Sequence, residues 1–385
     1  MTDSTAQATP TPLAVAIVGC GIIGLNHAKA IALHPDLEVT ALVDAIPQAA
    51  NALANSIETD GGPRPAEFTS LAEALAAASV DLVVVCTPSG QHVQLAQEAI
   101  AAGRHVLIEK PLDVTVPRAK RIAALAAEAE AEGLVVSVIS QHRFDPASVV
   151  IAEAIANDGF GRVTSAVASV AWWRSQEYYD SGQWRGTWEL DGGGAVMNQG
   201  VHTVDLLLWF LGRPVEIQAH TALLAHGRVE VEDVAVATIR FESGALAVLH
   251  ATTAAFPGLS VRLQVHGSRG SAIIEDDQLE FFHVAGEDDG GGSNQAADVV
   301  EPGELRGGER HPDRFTIGHL RQYEDVVGAI RDGRPPLVRV DDALLALAVV
   351  RCLYLSSTLR RSVTLVEVLD GSLDDVTVTT EGAAA

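Results

Sequence analysis

Lysine is almost absent from this chain: it occurs only at 29, 110 and 120, and arginine carries the remaining positive charge. Cysteine is equally scarce. Cys20, Cys86 and Cys352 lie far apart with no Cys-x-x-Cys pair, which offers neither a disulfide framework nor a zinc site and fits a reducing cytoplasm. Acidic residues far outnumber basic ones, leaving a net charge of −24 over 385 residues. A surface that acidic repels phosphate backbones and anionic lipid, so neither nucleic acid nor membrane is an expected partner. The first residues lack a basic stretch and an apolar h-region, so no signal peptide is expected. No apolar run reads as long and uninterrupted enough to span a bilayer. Residues 1–12 read as a disordered tail and 368–385 as a frayed acidic one.

Between those tails the pattern changes once. Over 13–140 short apolar strands (13–18, 38–43, 81–85, 105–108, 134–139) alternate with helices (22–33, 47–56, 71–77, 91–102, 118–132). Alternation of this kind predicts a parallel sheet with helices on both faces, an α/β domain whose ligands bind beyond the carboxyl ends of the strands. Gly19, Asp44, Thr87-Pro88, Lys110 and Gln141-His142-Arg143 all fall at such ends. Over 141–367, β-rich runs at 163–172, 215–223, 234–241, 245–253, 261–266 and 271–275 joined by short turns predict an α+β domain with a large, mostly antiparallel sheet. Helices are expected at 145–158, 200–210, 318–331 and 342–359, and 284–312, rich in Gly, Asp and Glu, reads as a long surface loop.

Gly19-Cys20-Gly21-Ile22-Ile23-Gly24 follows a predicted strand and opens a helix, with Asp44 at the end of the next strand. Glycines there allow a tight turn and close approach of backbone to a pyrophosphate, and the acidic residue accepts from both adenine-ribose hydroxyls. The alternative is an ordinary βα turn with a solvated Asp. Asp44 repels a 2′-phosphate, and Ala45 is not an Arg that could hold one, so NAD is favoured over NADP. In Glu109-Lys110-Pro111 the proline biases Lys110 away from helix. An amine can lose its proton near neutral pH when desolvated, whereas a guanidinium cannot; the alternative is a surface lysine paired with Glu109. In Asp191-Gly192-Gly193-Gly194-Ala195-Val196-Met197-Asn198-Gln199-Gly200-Val201-His202-Thr203-Val204-Asp205 a helical reading puts Asn198, His202 and Asp205 on one face. His202 reads either as a functional group or as a satisfied core histidine. Trp172-Trp173-Arg174, Tyr178-Tyr179 and Trp184 to Trp188 concentrate the few aromatics, for stacking on sugars or for core and subunit-interface packing. No metal set is evident.

Taken together, these segments, with His92, Ala102-Gly103-Arg104-His105-Val106 running into Glu109-Lys110-Pro111, and Arg143, resemble the Gfo/Idh/MocA oxidoreductases over roughly 13–367. The resemblance implies a Rossmann domain followed by an open-faced sheet domain through which homodimers or homotetramers form. It implies NAD held by Gly19, Gly21, Ile22, Ile23, Gly24, Asp44, Thr87, Pro88, His92, Glu109 and Lys110. Lys110 and His202 are then catalytic together with Asn198, which positions a neighbouring hydroxyl, and Arg143, Trp173, Arg174, Asn198 and His202 contact a carbohydrate or cyclitol substrate. Many relatives carry Asp where this chain has Asn198, so a mechanism using that carboxylate is unavailable. The expected reaction is dehydrogenation of a secondary hydroxyl; some relatives instead cleave glycosides with no net change in NADH, and a non-catalytic dinucleotide-bound sensor is a third reading.

Overall fold

The computed structural model describes residues 11–382 except 183, 287–291 and 310. The expected tail over 1–12 therefore lies outside the described residues save for its last two, as do parts of the 284–312 and 368–385 segments.

Valine-, isoleucine- and alanine-rich runs too short for helices form the strands of the first half. They are β1 (Leu13–Val18), β2 (Leu37–Val43), β3 (Ala66–Phe68), β4 (Leu82–Val85), β5 (His105–Ile108) and β6 (Val136–Val138). Between them run α1 (Ile22–Leu33), α2 (Pro47–Thr59), α3 (Leu71–Ala77), α4 (His92–Ala101) and α5 (Val116–Ala131). The strands pair in parallel in the order β3-β2-β1-β4-β5-β6, a doubly wound sheet buried on both faces. β3 arises in a stretch that reads as loop from its prolines and glycines; pairing with β2 orders it.

The second half begins with α6 (Pro146–Ala156), β7 (Val163–Ala171) and α7 (Gln176–Asp180). A π-helix, Val196–Gly200, runs into α8 (Val201–Leu211). Then come β8 (Pro214–Ala222), β9 (Val234–Phe241), β10 (Leu246–Thr252), β11 (Val261–Gly267), β12 (Gly270–Glu275) and β13 (Gln278–Val284), followed by α9 (Ala296–Val299), α10 (Arg314–Asp332), α11 (Val340–Leu359), β14 (Val363–Thr364) and α12 (Leu365–Leu369). The sheet order is β13-β12-β11-β7-β10-β9-β8-β14, antiparallel except for β10 on β7. Strict alternation along β9 and β10 buries Ala235, Ala237, Ile239, Ala247 and Leu249 against the helices, and leaves Val236, Leu246 and Val248 on an open face.

Three expectations change. The segment 284–312 is not structureless: α9 buries Ala296, and Leu305 bridges to Leu279. The acidic C-terminal segment does not fray over its described part. Leu223 N donates to Glu381 O and Arg351 donates to Val376 O, so it lies along the edge of the sheet. Finally, α11 is long and apolar enough by length and composition to cross a membrane, against the expectation that no run is. It packs against α5, α8 and β8, with Ala346 to Leu355 almost wholly enclosed, as the central helix between the two sheets.

The two sheets do not divide the chain cleanly. The core on one face of the first sheet contains Tyr323, Val326, Val327 and Ala329 from α10 beside Val15, Ile17, Ile31 and Leu42.

Candidate active site

The Gly-rich turn is built as its spacing suggests. Gly19 has φ +99°, and a Cβ there would lie 2.7 Å from the Cys86 carbonyl group. A Cβ on Gly24 would fall 2.2 Å from Gly19 O, so α1 packs directly on the turn. Around Gly21 nothing stands within 4 Å. Ile22 is 83% exposed, no side chain caps the start of α1, and Ile23 is half-buried beside it. This is the cradle a pyrophosphate requires: free backbone at a helix N-terminus with room to approach. Asp44 stands at the end of β2, its Oδ2 accepting from Cys20 N at 2.9 Å and its Oδ1 from Ile46 N at 2.9 Å. These bonds fix the carboxylate beside the turn. Thr87, at the end of β4 before Pro88, has a buried Oγ1 with no hydrogen-bond partner, which an incoming ligand would satisfy. The residues therefore fit a dinucleotide.

His92 and Glu109, expected to touch the cofactor, have their side chains engaged with protein groups. His92 is buried between Thr87 O (2.8 Å from Nε2) and Pro111 O (3.0 Å from Nδ1). Burial lowers its pKa, so the neutral ring donates to one carbonyl at a time and ties the β4 and β5 end loops together. Glu109 Oε1 accepts from His27 Nε2 (3.0 Å) and His319 Nε2 (3.3 Å), and Oε2 accepts from Lys110 N (2.9 Å). Burial works to raise the Glu109 pKa, but hydrogen bonds from the two imidazoles outweigh it and hold the carboxyl well below its ordinary range. His27 also meets the Tyr323 hydroxyl at 2.7 Å, so α1, β5 and α10 are locked together under Lys110.

Lys110 leaves the end of β5 and donates from Nζ to the backbone oxygen of Asn198 at 3.2 Å. Burial lowers its pKa, with Glu109 and Asp191 opposing. His202 lies across from it on the first turn of α8, and both line a narrow cleft of about 20 Å³. The His202 pKa is driven well below 6.5, first by burial, then by the charge of Lys110, then by that of His142. His202 is therefore neutral near pH 7, and no described side chain hydrogen-bonds its ring nitrogens. It stands edge-to-face with His142 at 5.0 Å between centroids. Burial opposes protonation of His142, yet Asp277 (3.2 Å) and Asp145 (2.8 Å) prevail and raise its pKa well above the ordinary value.

The loop that delivers His202 explains the three glycines. A Cβ on Gly193 would sit 2.2 Å from Tyr354 Oη, and one on Gly194 1.8 Å from Glu232 O. Glu232 lies beneath: its carboxylate accepts from Gly194 N (2.9 Å), Val196 N (2.9 Å) and Tyr354 Oη (3.0 Å). Burial raises its pKa to about 7, the backbone donors pulling the other way. Nothing local marks Glu232, which is 38 residues from Gly194.

Asn198 does not share a face with His202 and Asp205, which both line the narrow cleft. The wider π-helical turn rotates Asn198 aside, and its Nδ2 donates to Asp191 Oδ1 (2.9 Å) and Gly193 O (3.1 Å). Its contribution to the cleft is the backbone oxygen that holds Lys110. Asp205 is committed to Arg143, which donates to it from Nε (2.8 Å) and Nη2 (2.6 Å) and reaches Asp342 at 3.5 Å. Arg143 is 3% exposed, a buried ion pair rather than a substrate contact. Trp173 and Arg174 also depart from expectation. Strand alternation turns Trp172 toward the main cavity, while Trp173 is exposed against Phe256, and Arg174 stacks on Trp172 and Tyr178.

That main cavity, about 460 Å³, opens between the strand ends of the first sheet and the inner face of the second. His202 lines it as well as the narrow cleft, joining the two. Two trios, His27/Glu109/His319 and His142/Asp145/Asp277, bring potential metal-ligand atoms within 4.8 Å of one another. In both, these atoms are engaged with each other as hydrogen bonds or ion pairs.

Residues 13–138 match the model of the oxidoreductase family with an NAD-binding Rossmann fold, and 149–273 match the GFO/IDH/MocA C-terminal domain. Among curated proteins the chain is 26% identical to the inositol 2-dehydrogenase of Rhizobium meliloti, over 91% of this chain and 98% of that protein. Among solved structures it is 30% identical to the WlbA dehydrogenase of Bordetella pertussis in complex with NADH and UDP-GlcNAcA, with a TM-score of 0.77 over 93% of this chain and 99% of that one. An oxidoreductase domain protein from Kribbella flavida is 28% identical with a TM-score of 0.83, over 92% and 100%.

Proposed function

The chain belongs to the GFO/IDH/MocA family of NAD-binding oxidoreductases, and from that premise we propose that it dehydrogenates a secondary hydroxyl of a sugar, sugar derivative or cyclitol. The observation that carries this reading is the pairing of Lys110 and His202 across one narrow cleft, both with lowered pKa values, beside a larger cavity that His202 also lines. Bound NAD supplies the hydride acceptor. His202, neutral and with no described hydrogen-bond partner, takes the hydroxyl proton as the carbon is oxidised. Lys110, steadied by Asn198 O, donates to the same oxygen and stabilises the charge that develops there. Glu109 and His92 position Lys110 from below, and Glu232 positions the loop that leads to His202. Asp44 and the Gly19–Gly24 turn select NAD. The exposed valines and leucine of β7, β9 and β10 (Val167, Val236, Leu246, Val248) support assembly of copies through the open sheet face.

The test is NADH absorbance with NAD and a panel of sugars, sugar acids and inositols, beside Lys110→Ala and His202→Ala. Each variant is expected to lose about 10²- to 10⁴-fold in kcat while NAD still binds. The wild-type acid limb of kcat should lie below the ordinary imidazole range, because His202 must be neutral to accept the proton and burial holds its pKa down. Full activity in either variant would sink the reading.

A further inference from the structure

A second cavity, of about 200 Å³, lies behind the loop that delivers His202, and none of the residues of the dinucleotide cradle or of the main cavity lines it. Its walls come from four segments. Val114, Thr115 and Val116 lead into α5; Gly192 and Met197 belong to the loop; Leu347, Arg351 and Tyr354 follow one another along one face of α11; and Val376 to Val378 close the outer side. Trp188 completes the lining, edge-to-face with Tyr354 at 5.0 Å between centroids. Its Nε1 donates to Glu230 O (3.2 Å) and Tyr354 Oη donates to Glu232 (3.0 Å), so the polar tips of both rings are spent. Arg351 is the one charged residue in the lining. It is half-buried, its Nη2 donates to Val376 O at 2.7 Å, and among the described residues it forms no ion pair. Burial lowers its pKa, with Asp374 opposing from beyond ion-pair distance. A desolvated cation without a counter-charge is costly, and a planar guanidinium with N–H groups to spare matches a carboxylate.

We propose that this cavity is a second ligand site, for a small carboxylic acid with an apolar body, and that its occupant acts on His202 through the loop. The carboxylate pairs with Arg351, and the body lies against Val114, Val116, Met197 and Leu347. A single cation in a mostly apolar wall suits one negative charge better than the two of a phosphate. The coupling follows from shared parts. Tyr354 is both cavity wall and a donor to Glu232, and the Glu232 carboxylate accepts from Gly194 N and Val196 N of the loop. Gly192 packs on Val114, whose side chain a Cβ would meet at 3.0 Å. Leu347 lines this cavity and the Lys110–His202 cleft alike. An occupant therefore touches the supports on which the position of His202 depends. The binding claim is independent of the dehydrogenase reading, and only the activity readout rests on it.

The test is calorimetry on the NADH-saturated protein with benzoate and hexanoate, beside their neutral amides and inorganic phosphate. One-to-one binding of a carboxylate is expected, tighter than that of its amide or of phosphate. Arg351→Gln should weaken it about tenfold or more, the loss of a charge-assisted hydrogen bond. Because Arg351 also ties down the C-terminal segment, a second variant works from outside. Thr377 is exposed, and Thr377→Trp should fill the cavity and abolish binding with the Tm unchanged. Lys110→Ala should bind the acid as the wild type does, which separates this site from the catalytic cleft. Saturation with the acid should change kcat in the wild type and leave it unchanged in Thr377→Trp. No binding of either acid, an amide or phosphate bound as tightly, wild-type affinity in Arg351→Gln or Thr377→Trp, loss of binding in Lys110→Ala, or a kcat that saturation does not move would each overturn the proposal. Failure of the dehydrogenase reading looks different: no sugar yields NADH, yet the acid binds and Thr377→Trp abolishes its binding.

Discussion

Two buried glutamates support the two halves of the site, and burial alone does not predict which of them stays charged. Glu109 and Glu232 are 7% and 0% exposed, and each accepts three hydrogen bonds. Two of the donors to Glu109 are imidazoles, and its carboxyl stays ionised far into acid. The donors to Glu232 are two backbone N–H groups and a phenol, and its pKa rises to about 7. Desolvation acts on both; the difference lies in whether a partner can itself carry charge. The half of the site that holds Lys110 is thus tied by a carboxylate that stays ionised, and the half that delivers His202 is tied by a group poised to titrate.

The largest expected effect breaks the side held by the ionised carboxylate. Glu109→Ala leaves the buried N–H groups of His27, His319 and Lys110 without their acceptor and should cost about 1–3 kcal/mol for each orphaned donor, read as a fall in the urea midpoint at pH 7. A loss below 1 kcal/mol would mean that the carboxylate is not the keystone its geometry suggests. The next effect is pH-dependent. Because the folded pKa of Glu232 is raised from 4.5 to about 7, its stabilising protonated form is fully present below its unfolded pKa and lost as pH rises through about 7. The cost of ionisation approaches ~3 kcal/mol. The Tm of Glu232→Gln should therefore gain on that of the wild type between pH 5 and pH 8, and a constant difference would count against the assignment. The smallest effect separates neighbours within one half. Trp172→Ala should raise KM for the sugar several-fold by removing cavity wall, whereas Trp173→Ala should leave KM unchanged; equal effects would show that the alternation argument is mistaken.

What the sequence made legible follows the range of the interactions involved. The turn at Gly19–Gly24, Asp44 and the strand-end position of Lys110 depend on neighbours a few residues away or on the pitch of a βα unit, and each stands where its pattern placed it. Arg143 was misjudged because the residue that claims it, Asp205, is 62 positions away. Asn198 was misplaced because an α-helical period was assumed where the chain forms a π turn. Trp173 and Arg174 were preferred to Trp172 because the face of a strand cannot be known before its register is. Glu232 and Asp277 gave no local signal at all. Their roles exist only once the second sheet has closed against the first.

The α10 residues embedded in the first sheet's core give the molecule a constraint in time as well as in space. Tyr323, Val326, Val327 and Ala329 complete a core begun by Val15 and Ile17. A ribosome therefore finishes all six strands of that sheet long before it makes the helix that seals one of its faces. Until α10 emerges, Ile31 and Leu42 have an incomplete cover, and the nascent chain exposes apolar surface of the kind that chaperones bind. Synthesis order thus makes the nucleotide-binding half the first to be made and among the last to be finished, and a gene fragment ending after β6 should yield an aggregation-prone polypeptide rather than a portable domain.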